Sequence, residues 1–343
     1  MVKTVIFQPS EVNEAAKLIQ KGQLVAFPTE TVYGLGADAT NEKAVKQVYL
    51  AKGRPSDNPL IVHVASVAMV EQYAEEIPAK ARKLMDRFWP GSLTIILKIK
   101  PGTLSKIVTG GLNTVAFRYP ACQPTLNLIR EAGVPIVGPS ANTSGKPSPT
   151  TAGHVYHDLD NKIAGIIDDG PTVVGVESTV LDMSTDQPVI LRPGAVTKQD
   201  IENVIGSIEL NNHKVKANEV PKAPGMKYKH YAPNAQVYIV APDADWTAVA
   251  NWLAQAEGSV GLMATEQVLK SHVWPVQADQ FSLGEGIEDA SARLFEGLRA
   301  FDDQQEIHQI LCQGFLPTGL GAAYMNRLNK SAGGTFFREL LTK

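Results

Sequence analysis

Apolar positions in the first two hundred residues alternate between helical spacing and short continuous runs. Residues 4–7 read as a strand. Residues 11–21 read as a helix, because Val12, Ala15, Ala16 and Ile19 share one face and Gly22 is placed to end it. Residues 23–27 form the next expected strand, stopped by Pro28. Asn41 is placed to cap a helix that reaches Lys52, with Ala44, Val45, Val48 and Tyr49 on its apolar side. Residues 60–64 and 93–99, rich in Ile, Val and Leu, are strands, with two short helical stretches between them on either side of Pro78. Residues 114–117, 136–137, 163–167, 178–182 and 189–191 complete a series of shorter strands. The pattern predicts an α/β chain whose twisted, mixed, open sheet is covered by flanking helices.

The pattern breaks at residues 207–234, where polar sequence runs into PKAPGMKYKHYAPNA without apolar periodicity. Residues 1–206 are therefore expected to form one domain and 207–235 a linker. Residues 236–343 are expected to form a smaller, Rossmann-like α/β domain. Its elements are strands at 236–240, 259–263 and 310–312 and helices at 246–255 and 287–302.

Composition narrows the function classes. With 343 residues, 44% hydrophobic and 20% charged, the chain has enough apolar material for two cores. A net charge of -3 excludes a globally basic nucleic-acid binder but leaves room for a local cationic site. Cys122 and Cys312 lie in different halves, and no Cys-x-x-Cys pair occurs, which fits a reducing compartment. The first apolar run is cut by Pro9 and Glu11 and reads as a strand rather than a signal segment. No run approaches a membrane span, so a cytoplasmic protein without a membrane partner is expected.

Candidate chemistry gathers at strand ends. PTETVYGLGADA delivers Thr29, Glu30 and Thr31 onto a loop after a strand, where α/β proteins place ligands. Gly34 and Gly36 mimic a dinucleotide fingerprint, but they come seven residues or more after the predicted strand, so that reading is weak. In AKGRPSDNPLIVHV, Lys52 and Arg54 flank Gly53 at a helix exit, with Asn58 and His63 beyond. Two cations there could simply offset a helix dipole. Two cations at a glycine also suit a polyphosphate. Arg118 follows a β-type run that places it opposite Phe117. GPSANTSGKPSPT is dense in hydroxyls, but Pro147 stands where a P-loop has Ser or Thr. Arg192 ends a strand before Pro193-Gly194. Lys227, Lys229, His230 and Tyr231 add cations and an aromatic to the linker. His154 and His157, three apart, lack enough neighbours for a zinc site. An anionic, oxygen-rich ligand such as a nucleotide fits this set best.

In this order, PTETVYGLG, AKGRPSDNPLIVH, WPGSLT, VAFRYP, PSANTSGKPSPT, GVESTV and LRPG resemble the L-threonylcarbamoyladenylate synthase family, in its longer form with a YrdC-type domain. APGMKYKHYAP in the linker and MNRLNKSA near the end match that longer form. The resemblance implies an open, positively lined concave pocket. It implies L-threonine contacts at Thr31, His63, Arg118, Gly138 and Ser178. It implies ATP contacts at Arg54, Asn58, Thr114, Ser140, Ser148, Arg192 and Tyr231. Lys52 and Asn142 lie in the same motifs and are carried as polar participants, and the linker carrying Lys227–Tyr231 is expected to fold over the pocket as a lid.

The reaction so implied joins L-threonine, bicarbonate and ATP into L-threonylcarbamoyl-AMP with release of pyrophosphate. Lys52, Arg54 and Arg192 are expected to offset phosphate charge, and Arg118 to clamp a carboxylate. Mg²⁺ is expected to arrive with ATP rather than in a protein cage. The product would feed a downstream tRNA threonylcarbamoyl transferase complex, without this chain having to bind tRNA. Three readings rival this one: an RNA-binding module with a basic concave face, an ATP-dependent carbamoyl transferase with another acceptor, and a regulatory nucleotide-binding domain.

Overall fold

The computed structural model describes residues 2–211, 221–223 and 230–341. The chain divides into two compact units. The first is Met1–Ser144, Ser148–Val173 and Glu177–Tyr228; the second is Gly145–Pro147, Val174–Val176 and Lys229–Lys343.

The first unit is built on one mixed sheet. Its strands are β1 (Val5–Phe7), β2 (Val25–Phe27), β3 (Gly34–Asp38), β4 (Ile61–His63), β5 (Leu93–Lys98), β6 (Thr114–Arg118), β7 (Ile136–Val137), β8 (Gly165–Ile167), β9 (Thr179–Asp182), β10 (Val189–Arg192) and β11 (Glu209–Leu210). Among the described residues they lie in the order β1-β8-β2-β3-β7-β4-β6-β5-β9-β10-β11. β4 and β6 run parallel, whereas β5 is antiparallel to β6 and parallel to β9. The sheet thus extends beyond position 206: Glu209–Leu210, expected in the linker, pairs in parallel with Val189–Ile190.

Side-chain alternation sorts the strands onto two faces. One face carries the large core, which includes Leu35, Val62, Leu93, Ile95, Val115, Phe117 and Leu181. The helices Glu42–Lys52, Ala79–Phe88, Ala152–Leu159 and Lys198–Ile205 all contribute buried residues to it. On the other face, helices Val12–Gln20 and Gln123–Ala132 cover Phe27, Ile136 and Ile167. Among the described residues, this face beyond those helices also holds a small apolar group, Ile61, Ile96, Ala116, Val180 and Ala223. Around that group the polar side chains gather, and they are buried.

Gly34 and Gly36 are strand residues rather than a phosphate loop. A Cβ on Gly34 would lie 2.6 Å from the Phe27 ring, and one on Gly36 would lie 2.6 Å from the Val25 carbonyl. Both glycines let the partner strand pack close, a steric reason for their spacing that agrees with setting the fingerprint aside.

The second unit has a parallel sheet of β12 (Gln236–Val240), β13 (Val260–Ala264), β14 (Ala278–Ser282) and β15 (Gln309–Gln313), in the order β12-β15-β13-β14. Val240, Val249, Leu253, Leu262 and Leu311 form part of its core. Within this unit Arg299 donates to the Pro147 carbonyl at 2.6 Å, and Lys146 pairs with Asp302 at 2.7 Å. Among the described residues, no helix is long and apolar enough to cross a membrane.

Asn41 caps the helix Glu42–Lys52, its side chain accepting from the N–H groups of Lys43 and Ala44. Asn41→Ala is expected to destabilise the chain by about 1 kcal/mol in chemical denaturation, the usual loss for a removed N-cap.

Candidate active site

Strand register brings the site together. His63 and Arg118 are register partners across β4 and β6, and Arg118 and Thr94 are partners across β6 and β5. Ile61, Ala116 and Ile96, two residues away on the same strands, belong to the small apolar group. Alternation therefore puts His63, Arg118 and Thr94 in one row on the face of that group. Thr114 lies on this face too, four residues before Arg118. From Thr94 the row continues to the Ser178 hydroxyl at 2.7 Å.

Arg192 joins through a β-bulge. Ile190 pairs with Leu181 and belongs to the large core, and regular alternation would turn Arg192 the same way. The register shifts between the two, so Arg192 is opposite Val180 of the small apolar group instead. Its Nε donates to the Ser178 carbonyl at 3.1 Å and its Nη2 to the Ser178 hydroxyl at 3.2 Å. Gly194 lets this turn close, because a Cβ there would lie 2.2 Å from the Thr179 nitrogen.

Arg118 is 4% exposed. Its Nη1 donates to the Thr31 hydroxyl at 2.8 Å and its Nε to the Gly91 carbonyl at 3.4 Å. Nη2 lies 2.7 Å from Glu30 Oε1 as an ion pair, without the alignment of a hydrogen bond. Thr31 is held in turn, its hydroxyl 2.9 Å from that of Thr29. Glu30 was legible as part of the loop, but nothing in the spacing tied it to a cation 88 positions later.

His63 is buried beside this guanidinium. Desolvation first, and then the Arg118 charge, hold its pKa well below the usual histidine range, so the ring is neutral at pH 7. Gly138 is explained by the same ring: a Cβ there would lie 2.6 Å from His63 Nδ1 and 2.5 Å from Phe27. The Gly138 N–H donates to the Ile61 carbonyl at 2.9 Å, fixing this close approach.

Lys52, 2% exposed, reaches the loop that carries Ser140 and Asn142. Its ammonium donates to the carbonyls of Ser140 and Asn142, the latter at 2.6 Å, and lies 3.5 Å from Asn142 Oδ1. The Ser144 N–H returns a bond to the Lys52 carbonyl at 2.8 Å. Lys52 thus ties a helix exit to a loop, beyond any effect on the helix dipole. Arg54 follows at the turn and donates to the Pro59 carbonyl at 3.4 Å. The segment bearing Asn58 is anchored by Tyr49, whose hydroxyl contacts the carbonyls of Asn58 at 3.0 Å and Ile107 at 2.9 Å. Burial pushes the Tyr49 hydroxyl up to about 12, which keeps it a donor. The sequence pattern showed only the apolar side of Tyr49.

Ser148 donates to Glu177 Oε1 at 2.5 Å, and both residues are buried. Tyr231 belongs to the second unit, where it is buried and packs on Phe295 with ring centroids 5.2 Å apart. Lys227 and Lys229, which the expected lid needs, lie outside the described residues. His154 Nδ1 is 3.3 Å from the Thr150 nitrogen and His157 Nδ1 2.9 Å from Asp158, so the two rings have separate partners.

A neutral imidazole, buried guanidinium groups and several hydroxyls on one face suit recognition of small anions. Comparison with known proteins gives this face its context. Residues 17–194 match the family model described as "Telomere recombination", and residues 196–333 match "Threonylcarbamoyl-AMP synthase, C-terminal domain". The chain belongs to the threonylcarbamoyl-AMP synthase family. It is 50% identical to the Bacillus subtilis threonylcarbamoyl-AMP synthase, over 96% of this chain and 94% of that protein. It is 46% identical to the Pyrococcus abyssi threonylcarbamoyl-AMP synthase, over 94% of each. The crystal structure of P. abyssi Sua5 complexed with L-threonine matches with a TM-score of 0.91 and 44% identity, covering 97% of this chain and 99% of that one.

The depressed pKa of His63 fixes a sign. The stability it contributes is complete above the unfolded value near 6.5 and is lost as pH falls below it towards the lower folded value. An NMR titration of the imidazole nitrogens is expected to show His63 still neutral at pH 6; protonation at the ordinary histidine value would contradict its burial.

Proposed function

We propose that this chain joins L-threonine, bicarbonate and ATP into L-threonylcarbamoyl-AMP, releasing pyrophosphate and water. The observation that carries the residue assignment is Arg118: a buried guanidinium beside a neutral imidazole, with N–H groups at Nη2 to which no acceptor aligns among the described residues. A small carboxylate satisfies such donors in the planar manner of guanidinium–carboxylate pairs. Threonine would then lie against Thr31, His63, Arg118, Gly138 and Ser178.

The threonine amine, once deprotonated, bonds to the carbon of CO₂ drawn from bicarbonate and becomes a carbamate. A carbamate oxygen then bonds to the α-phosphorus of ATP as the bond to pyrophosphate breaks. Two anions must approach each other, so fixed cations and donors at the junction lower the barrier most. Arg192 is anchored on Ser178 and so stands next to the proposed amino-acid subsite, where it can offset the α-phosphate. Arg54, Asn58, Thr114, Ser140, Asn142 and Ser148 are the further ATP contacts that the resemblance supplies, together with Tyr231. Lys52 acts by holding the Ser140–Asn142 loop in shape as well as by its charge. Glu177, held by Ser148, is a buried carboxylate that fits a hard cation, and Mg²⁺ bound to ATP would supply charge neutralisation there. No protein nucleophile is required, because alignment of the reactants carries much of the rate.

The mixed anhydride is the class of activated carbamoyl donor that a downstream transferase can place on an adenosine of tRNA. Work in the cytoplasm is consistent with these substrates.

Pyrophosphate release and the adenylate, followed by mass spectrometry, test the reaction with threonine, serine and no amino acid. Release that does not depend on threonine would refute it. Arg118→Ala is expected to raise the threonine KM by about 100-fold or more while the ATP KM changes little, in line with losing a buried charge-assisted contact. Lys52→Ala is expected to lower kcat and raise the ATP KM together, since it releases a loop as well as a charge.

A further inference from the structure

The mechanism leaves one buried charged group of the site unused. Glu30, whose side chain is 10% exposed, is held from three segments. Its Oε1 lies 2.7 Å from Arg118 Nη2 and accepts from the Ser92 hydroxyl at 3.0 Å, while its Oε2 accepts from the Ala121 N–H at 3.1 Å. A carboxylate fixed this firmly cannot swing aside to make room for a ligand. Its charge therefore stays beside Arg118 when a ligand arrives.

We propose that Glu30 is a positioning residue of the amino-acid subsite, aiming Arg118 and balancing its charge so that the subsite selects a zwitterion over a plain carboxylate. The inference rests on the reading of Arg118 as the carboxylate clamp and deepens it. Guanidinium carries five N–H donors. Two are spent on directed bonds to Thr31 and Gly91, which fix its plane. The contact with Glu30 neutralises charge without using up an aligned donor at Nη2. Three N–H groups make no directed bond among the described residues, and a second carboxylate that displaces part of the packing can take them.

Charge decides which carboxylate enters. Arg118 and Glu30 together are neutral, His63 adds no charge, and the Arg192 charge on the far side of Ser178 is matched by the phosphate of ATP in the proposed reaction. A simple carboxylate would bring an uncompensated negative charge into a buried place, which is costly. An amino acid brings its own ammonium, and Glu30 supplies that ammonium with a fixed negative neighbour. The same neighbour lies beside the amine when it gives up its proton to form the carbamate.

The test is calorimetric titration of the full chain with L-threonine and with 3-hydroxybutanoate, which is threonine without its amine. Wild-type protein is expected to prefer threonine by about 100-fold or more, as expected when one ligand leaves a buried charge unpaired. Glu30→Gln keeps the shape and the acceptor for Ser92 but removes the charge. It is expected to weaken threonine about tenfold, leave 3-hydroxybutanoate equal or tighter, and leave the ATP KM within about twofold. Glu30→Asp, which keeps the charge, is expected to weaken threonine while retaining the preference, at an unchanged thermal midpoint. An undiminished preference in Glu30→Gln overturns the proposal; so does a preference lost equally in Glu30→Asp, because shape rather than charge would then set it. If Glu30→Gln does not fold, the Glu30→Asp result decides. Arg118→Lys that binds threonine like wild type would remove the clamp itself, an outcome distinct from failure at Glu30 alone.

Discussion

A guanidinium taken out of water has to be matched inside the protein, and the first unit is arranged around that demand at Arg118. Thr31 and Glu30 come from the loop after β2, Gly91 from the turn before β5, and His63 and Thr94 from the flanking strands. Unmatched, a buried charge costs several kcal/mol. Matched, it fixes five segments against one another. The same contacts that make Arg118 tolerable also make it rigid, and a rigid donor set recognises a small anion without first having to be ordered.

Lys52 plays the corresponding part on the nucleotide side. Its ammonium is surrounded by oxygens of Ser140 and Asn142, so a single cation shapes a loop that carries two further polar side chains. Arg192 is aimed differently, by a bulge in β10 that turns it off the large core. Three cations of the site are thus placed by three devices: a strand register, a side-chain-to-carbonyl tie, and a local irregularity in pairing.

Those devices explain what could be read from the sequence. The face of Arg118 followed from simple alternation along Thr114–Arg118, and the cap at Asn41 from residue type and position. The bulge at Arg192 leaves no mark in a pattern of hydrophobic and polar residues, because it depends on register with β9. Gly34 and Gly36 looked like a phosphate loop because glycine spacing is the same whether the close neighbour is a ligand or, as here, Phe27 and the Val25 carbonyl. The helix Gln123–Ala132 went unread because buried Thr125 interrupts its apolar stripe, and its hydroxyl bonds to the Pro28 carbonyl. Partners such as Glu30 and Arg118 lie far apart in the chain, and only the folded sheet makes them neighbours.

The position of the row within the sheet also bears on how the chain reaches its native state. His63, Arg118, Thr94 and Ser178 depend on the consecutive pairings β4-β6, β6-β5 and β5-β9, two of which are parallel and need long crossovers. Contacts between such distant segments close late, since loop entropy must be offset before they form. Until then Arg118 has no carboxylate and Lys52 no carbonyl cradle. Ligand competence should therefore emerge in one step near the end of folding, with no half-formed intermediate able to hold substrate.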